Sequence, residues 1–489
     1  MSLDVDGFTN ELDGGEVSIR VDNNHRLLKL ARQFPWDEML HAILPDVQHT
    51  VKKCWWMGRP LRVRIHLGVY ILQQMFDLTD REVEQQVRDN AAFRLFCGYG
   101  ILKQWHTPDH TKIEAFRSRL TAETQRKLAN LIGQQAVKLG YADPTEMDVD
   151  STVQEANITY PAMVNLLFKV AVLASTVGKG LNQLCHQGKE IYRVGLSRLK
   201  QIVLYYFRLK RQDKPKELLQ IVLKRLWCNV YESVFPILHH AYQLSNKVML
   251  GKYWTLRRAI EKLCGRGAML LENTHGYIFE GLSNTPLPSL HAEEVACFNK
   301  GKLNKRLQFG RVFQLGRLGG NFMIVSECIS IHMPDAKSLP AMVNLHQRLF
   351  GEGILQSIAT DKGYYSLDNF NRLEQANIND IYLPRPERTL NAPPDKTSAS
   401  IRQNLHDRRS GIEPLIGHIK HGGQMGRSRM KSDETTKSAG YAAVFGFNLR
   451  QLMRYLTGEV RLKTKEMPVL LANGANSSGS IIEWAAYVT

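Results

Sequence analysis

Among the 489 residues there are seven cysteines, at positions 54, 97, 185, 228, 264, 297 and 328, and none forms a CxxC pair. Scattered and odd in number, they exclude a disulfide framework and a cysteine-based zinc site; they read as reduced thiols packed as small apolar side chains. Long hydrophobic runs are also missing. No window reaches the ~18 uninterrupted apolar residues of a membrane span, and the best candidate, "AMVNLLFKVAVLASTVG", is broken by Lys169. The opening "MSLDVDGFTNELDGGEV" is acidic and polar, so no signal peptide is expected. His239, His240, His418 and His421 lack HExxH-type spacing, which speaks against a zinc enzyme. No internal repeat is visible. Acid is short relative to base: 47 Asp and Glu stand against 64 Lys and Arg, a formal net charge of +17. Such a field attracts nucleic acid or an anionic membrane surface, and says nothing about fold.

What is present belongs to a folded chain with more than one domain. Residues 1–35 form a polar lead-in. From 36 to 140 the pattern is helical: Ile65, Val69, Leu72 and Phe76 recur at helical spacing, and Thr79 before "DREV" reads as an N-cap. At 146–153, "EMDVDSTV" turns β-branched, and Asp148 and Asp150 point to one face of a strand. Residues 163–299 are read as a basic helical insertion. Its 189–225 stretch carries 11 Lys and Arg against 3 Asp and Glu, with Tyr192, Tyr205, Tyr206 and Phe207 interleaved. That composition fits solvated helix faces or a surface that contacts phosphate.

Strand signals return in "LQFGRVFQLGRLGGNFMIVSECISI", where Gly319-Gly320 between two alternating runs predicts a hairpin. A helix over 338–350 follows, then the apolar run "ILQSIAT" that ends at Asp361, a helix at "SLDNFNRLEQA" and a short strand at "DIYLP". Residues 389–401 are a loop by composition, "SAGYAAVFGFNLRQLMRYL" is a helix, and 461–489 a tail.

With the helical insertion set aside, the order is strand with Asp150, hairpin, helix, strand ending at Asp361, helix, strand, helix with Glu413. This is the order of a ribonuclease-H-like domain. The first strand is central there, the fourth lies beside it, and a late helix crosses the sheet, so three distant carboxylates can converge. Three carboxylates suit two Mg²⁺ ions, hard cations that stabilise the attacking and leaving oxygens of an in-line phosphoryl displacement. Asp148 shares the strand face and is the rival of Asp150.

"DSTVQEANITYP", "ATDKGYYS" and "RRSGIEPLIGHIKHGGQMGR", in this order, together resemble the bacterial insertion-sequence transposases of the DDE superfamily. The helical region around "LTDREVEQQVRDNAAFRLFCGYG" resembles their N-terminal part, and the likeness runs from about residue 36 to 457. The family's third motif, Tyr-(2)-Arg-(3)-Glu-(6)-Lys, maps onto His406, Arg409, Glu413 and Lys420, with His in place of Tyr. The resemblance implies a metal-binding triad of Asp150, Asp361 and Glu413, with Arg409, Lys420 and His406 supporting the site or contacting DNA phosphate. Glu413 and Lys420 differ by about 20° in helical phase. Pro414 starts that helix near Glu413, which leaves His406 and Arg409 on its approach.

The implied architecture is α/β: a ribonuclease-H-like mixed sheet flanked by helices (141–162 and 300–460), an all-helical N-terminal DNA-binding domain (36–140) and a helical insertion after the first catalytic strand (163–299). The implied activity is DNA transposition with Mg²⁺, or Mn²⁺ in its place, two ions per active site. Its partners would be double-stranded DNA, as terminal inverted repeats and as target, and a second copy when two ends are paired, with no membrane involved. The implied location is the bacterial cytoplasm, at the nucleoid. The rivals are a nuclease or resolvase on the same fold and a catalytically silent DNA-binding descendant.

Overall fold

The computed structural model describes residues 10–12, 15–17, 22–53, 62–98, 107–158, 162–185, 188–245, 253–282, 289–290, 292, 294–299, 307–328, 333–385, 398–430 and 432–460. The expected tail over 461–489, all but the end of the expected loop over 389–401 and much of the lead-in over 1–35 lie outside these.

A mixed sheet is flanked by helices, with a helical region before it and a helical insertion within it. The N-terminal helices are α1 (Arg26–Gln33), α2 (Trp36–Lys53), α3 (Val63–Phe76), α4 (Asp80–Asp89), α5 (Ala91–Phe96), α6 (His110–Arg117) and α7 (Ala122–Lys138). Residue chemistry sets their ends. Thr79 closes a capping box: the Glu82 N–H donates to its hydroxyl at 3.3 Å, and its own N–H donates to the Glu82 carboxylate at 2.7 Å.

The sheet holds β1 (Asp143–Glu155), β2 (Ala296–Asn299), β3 (Leu307–Gly319), β4 (Met323–Val325), β5 (Ser357–Thr360) and β6 (Asp380–Tyr382), in the order β2-β3-β1-β5-β6, with β4 also on β3. β1 is central, antiparallel to β3 and parallel to β5, and β5 is parallel to β6. The β3–β4 turn carries Gly320 at φ 84° and Asn321 at φ 65°, the left-handed conformations that a tight hairpin requires. By sequence pattern residues 296–299 belong to the insertion, yet they form β2. It pairs antiparallel with β3, from Ala296 opposite Gly310 to Asn299 opposite Leu307.

After the sheet's hairpin come α13 (Asp335–Phe350), α14 (Leu367–Gln375), α15 (Ala399–Ser410), α16 (Ile412–His421) and α17 (Asp433–Leu456). α17 is buried around most of its circumference. A Cβ at Gly440 would overlap the Phe313 ring of β3, and one at Gly446 the Gln74 carbonyl of α3. Glycine is what lets this helix touch sheet and N-terminal helices at once. Two asparagines finish the outer edge of β4. Asn448 of α17 accepts from Met323 N–H at 2.9 Å and donates to Met323 O at 2.7 Å, while Asn130 of α7 accepts from Val325 N–H at 2.8 Å and donates to Val325 O at 3.1 Å. An edge that would otherwise offer unpaired backbone groups is thereby satisfied by side chains.

One continuous apolar cluster runs from Leu27 and Phe96 through Leu128, Val149 and Phe313 to Leu452. The N-terminal helices therefore share their core with the sheet. The insertion has its own: α8 (Met163–Cys185), α9 (Leu196–Arg211), α10 (Lys216–Ser245), α11 (Trp254–Lys262) and α12 (Ala268–Phe279) pack around Leu167, Val170, Leu226, Val230 and Leu263. By length and composition α8 alone among the described residues would be able to cross a membrane; here its buried side supplies that helical core.

Candidate functional site

The register of the sheet brings the first two acids together. Val149 of β1 pairs with Thr360 of β5, so Asp150 and Asp361, each one residue further on, leave neighbouring parallel strands at the same level. The Asp150 side chain is only 17% exposed, and one of its oxygens accepts from the Ser151 N–H at 2.7 Å. Asp361 is 53% exposed and accepts from the Lys362 N–H at 2.7 Å, capping the short turn Lys362–Tyr364. Beneath them the Tyr364 phenol is fully buried; burial, with Asp335 and Asp150 close by, pushes its pKa well above the ordinary value.

The third acid arrives on a separate helix. α15 ends at Ser410, Gly411 is the joint, and α16 starts at Ile412 with Glu413 and Pro414 in its first turn, where proline costs nothing. α16 is held against β1 by the strand-like segment after it. The Glu155 N–H donates to Gly426 O at 3.1 Å, the Ser428 N–H to Glu155 O at 2.8 Å, and the Gln154 amide to Gln424 O at 3.0 Å. A Cβ at Gly411 would fall 2.5 Å from the Arg317 guanidinium.

Arg409, in the last turn of α15, joins all three acids. Its guanidinium lies 3.4 Å from Asp150, 3.7 Å from Asp361 and 3.3 Å from Glu413. Glu413 is 64% exposed and Arg409 only 17%, so one half-buried cation serves one sheltered and two open carboxylates. Among the described residues no group of three or more His, Cys, Asp or Glu side chains is gathered closely enough to hold a metal ion. The carboxylates surround a planar guanidinium, which spreads them further than shared ligation of one ion would. Their chemistry nonetheless suits a hard divalent cation, since all are oxygen donors already sharing a single positive charge.

Asp148 turns out to serve another purpose. It is buried and ion-paired at 2.8 Å with Arg408 and at 3.3 Å with Arg317. Burial raises its pKa, and the two arginines pull it back. Arg408 also donates to Ser357 Oγ at 2.9 Å and approaches Glu146 at 3.5 Å, while Arg317 donates to Arg408 O at 2.7 Å. This network ties α15 to β1, β3 and β5 directly below Arg409. A shared strand face makes Asp148 the rival of Asp150 in the sequence, but no local signal there marks Arg408 and Arg317 as the partners of Asp148.

His406 stays at the rim, 54% exposed, with Nδ1 3.2 Å from Asp407 and its ring 6.0 Å edge-on from Tyr382. Tyr382, at the end of β6, was also missed; burial raises its pKa, Arg409 lowers it and Asp361 raises it. Its position after a parallel strand neighbouring β5 was the available signal. Lys420 is half-buried in the last turn of α16, seven residues from Glu413.

Residues 16–119 match the model of a family described as a transposase domain, DUF772. A protein of Rhizobium meliloti, the uncharacterized protein ORF8 in the nfe locus, is 25% identical over 167 residues, covering 33% of this chain and 76% of that protein. No solved structure matches the chain. The N-terminal helices are thus similar to a domain associated with transposases, which links the chain to mobile-element proteins.

Proposed function

We propose that the chain is the DNA transposase of an insertion sequence, with a ribonuclease-H-like catalytic core that cuts strands at the element's ends and joins them to target DNA. The observation that carries this reading is the meeting of Asp150, Asp361 and Glu413 around Arg409, from a central strand, its parallel neighbour and a late helix. The transposase-domain match over 16–119 supports it independently.

In this reading Asp150, Asp361 and Glu413 are the residues that would hold two Mg²⁺ ions, or Mn²⁺. When bound, such ions activate a hydroxyl nucleophile and stabilise the leaving oxygen of a phosphodiester. The chain's own residues prepare the place. Arg409 offsets the mutual repulsion of three carboxylates in the free protein. The Asp148–Arg408–Arg317 network holds the α15–α16 joint to β1 and β5. Arg409, Lys420 and His406 face the phosphates flanking the cut, and the N-terminal helices bind the terminal inverted repeats, two copies of the chain pairing two ends in the cytoplasm.

The test uses the purified chain, Mg²⁺ and duplexes ending in the inverted repeats that flank its gene. Asp150→Asn, Asp361→Asn and Glu413→Gln each lower strand cleavage by about a hundredfold or more, while gel-shift binding of the same duplex persists. Wild-type cleavage rates in any of the three overturn the triad. Nicks without joined products assign the site to a nuclease instead.

A further inference from the structure

The insertion's surface differs from the rest of the molecule in two ways. Between residues 163 and 285 there are 19 Lys and Arg against 7 Asp and Glu. Fifteen of the nineteen large apolar side chains exposed among the described residues also lie here, from Val172 to Leu282. Neither fact alone names a partner; on α9 they coincide. The helix, "LSRLKQIVLYYFRLKR", has five cations and no acid, and all five are exposed. None of them pairs with a carboxylate among the described residues. At 100° per residue, Arg198, Tyr205, Arg208, Leu204, Arg211 and Lys200 fall in that order within an arc of about 160°. Leu199 and Val203 sit on the opposite side, in the insertion's core. Tyr205 is 48% exposed and Leu204 59%, and among the described residues the Tyr205 ring stacks on no other ring.

A face of this kind is a poor surface for a second copy, because two such basic insertions repel. It is more than a duplex needs, because bases stacked inside a double helix offer no face to a tyrosine. Cations flanking an open aromatic ring suit a strand whose bases are unstacked: the cations take successive phosphates and the ring takes a base. From Arg198 to Arg211 the helix spans about 20 Å, room for several phosphates of one strand.

We infer that the exposed face of α9 binds single-stranded nucleic acid, with Arg198, Lys200, Arg208 and Arg211 on phosphates and Tyr205 stacked on a base. The inference extends the reading of the chain as a DNA-processing protein, but needs no cleavage.

Fluorescence anisotropy of the full chain with labelled oligothymidine, and with a duplex of unrelated sequence, tests it. Tyr205→Ala weakens oligothymidine binding by roughly 5- to 150-fold and leaves the duplex unaffected, and Tyr205→Phe restores wild-type affinity. Arg198→Ala with Arg208→Ala weakens binding and flattens the log–log salt slope by about 1.4. A 5-iodouracil oligonucleotide crosslinks under light to the peptide containing Tyr205. Unchanged oligothymidine affinity in Tyr205→Ala overturns the inference. So does a change in sedimentation without a change in affinity, which gives the face to a protein partner. The Asp150→Asn protein keeps full oligothymidine affinity, so failure of the cleavage reading and failure of this one are seen separately.

Discussion

The sheet with its N-terminal helices and the helical insertion solve the problem of surface in opposite ways. In the first, α17 is enclosed between Phe313 and α3, and the β4 edge is finished by Asn130 and Asn448. In the second, the apolar core around Val170 and Val230 is real, yet leucine, tyrosine, phenylalanine and tryptophan side chains stand out into solvent around it. Large apolar surface left open on an otherwise folded unit marks a place of interaction. On the reading proposed above, the difference separates two kinds of work: the closed region would hold the carboxylates in fixed geometry, and the open one would present a face to nucleic acid.

The comparison can be broken most forcefully at the buried ion network. Arg408→Ala leaves Asp148 buried with a weakened counter-charge and costs about 3–5 kcal/mol, measured as the shift in urea midpoint at constant slope. A loss no larger than that of an ordinary surface change would mean the region is not closed there. A second probe is pH. His346 is buried with Nε2 2.7 Å from Pro144 O, and burial lowers its pKa to about 4. Its folded pKa lies below the unfolded value, so the unfolded chain binds the extra proton first. Stability is whole above about pH 6.5 and declines as pH falls toward 4, by up to about 3 kcal/mol. Denaturation at pH 7 and pH 5 reads this, and His346→Gln flattens the dependence. The smallest effect is expected on the insertion: Leu204→Ser changes stability by no more than about 0.5 kcal/mol, as thermal unfolding would record. A large loss there would mean Leu204 packs within the fold.

Much of this was legible in the chain. The helical spacing at Ile65, Val69 and Leu72, the cap at Thr79, the hairpin at Gly319-Gly320 and the apolar run ending at Asp361 each follow from local rules, and local rules were met. β2 was not legible, because "ACFN" is four residues with no alternation and takes its conformation from β3. Nor was the shared core, since nothing local tells a helix whether the sheet or another helix will cover it. The function of Asp148 was hidden for a related reason: its partner Arg408 is 260 residues away. The break at Gly411, by contrast, was legible: Pro414 tolerates only a first turn and so puts the start of the Glu413 helix beside Ile412, where α16 begins.

That break couples two positions. Any side chain at position 411 must displace the Arg317 guanidinium, and Arg317 is what holds the carbonyl of Arg408 and the carboxylate of Asp148. A side chain at 411 beside arginine at 317 shifts the guanidinium that donates to the Arg408 carbonyl. Shortening residue 317 first leaves Asp148 short of charge. Substitutions at the two positions are therefore expected to be non-additive in stability.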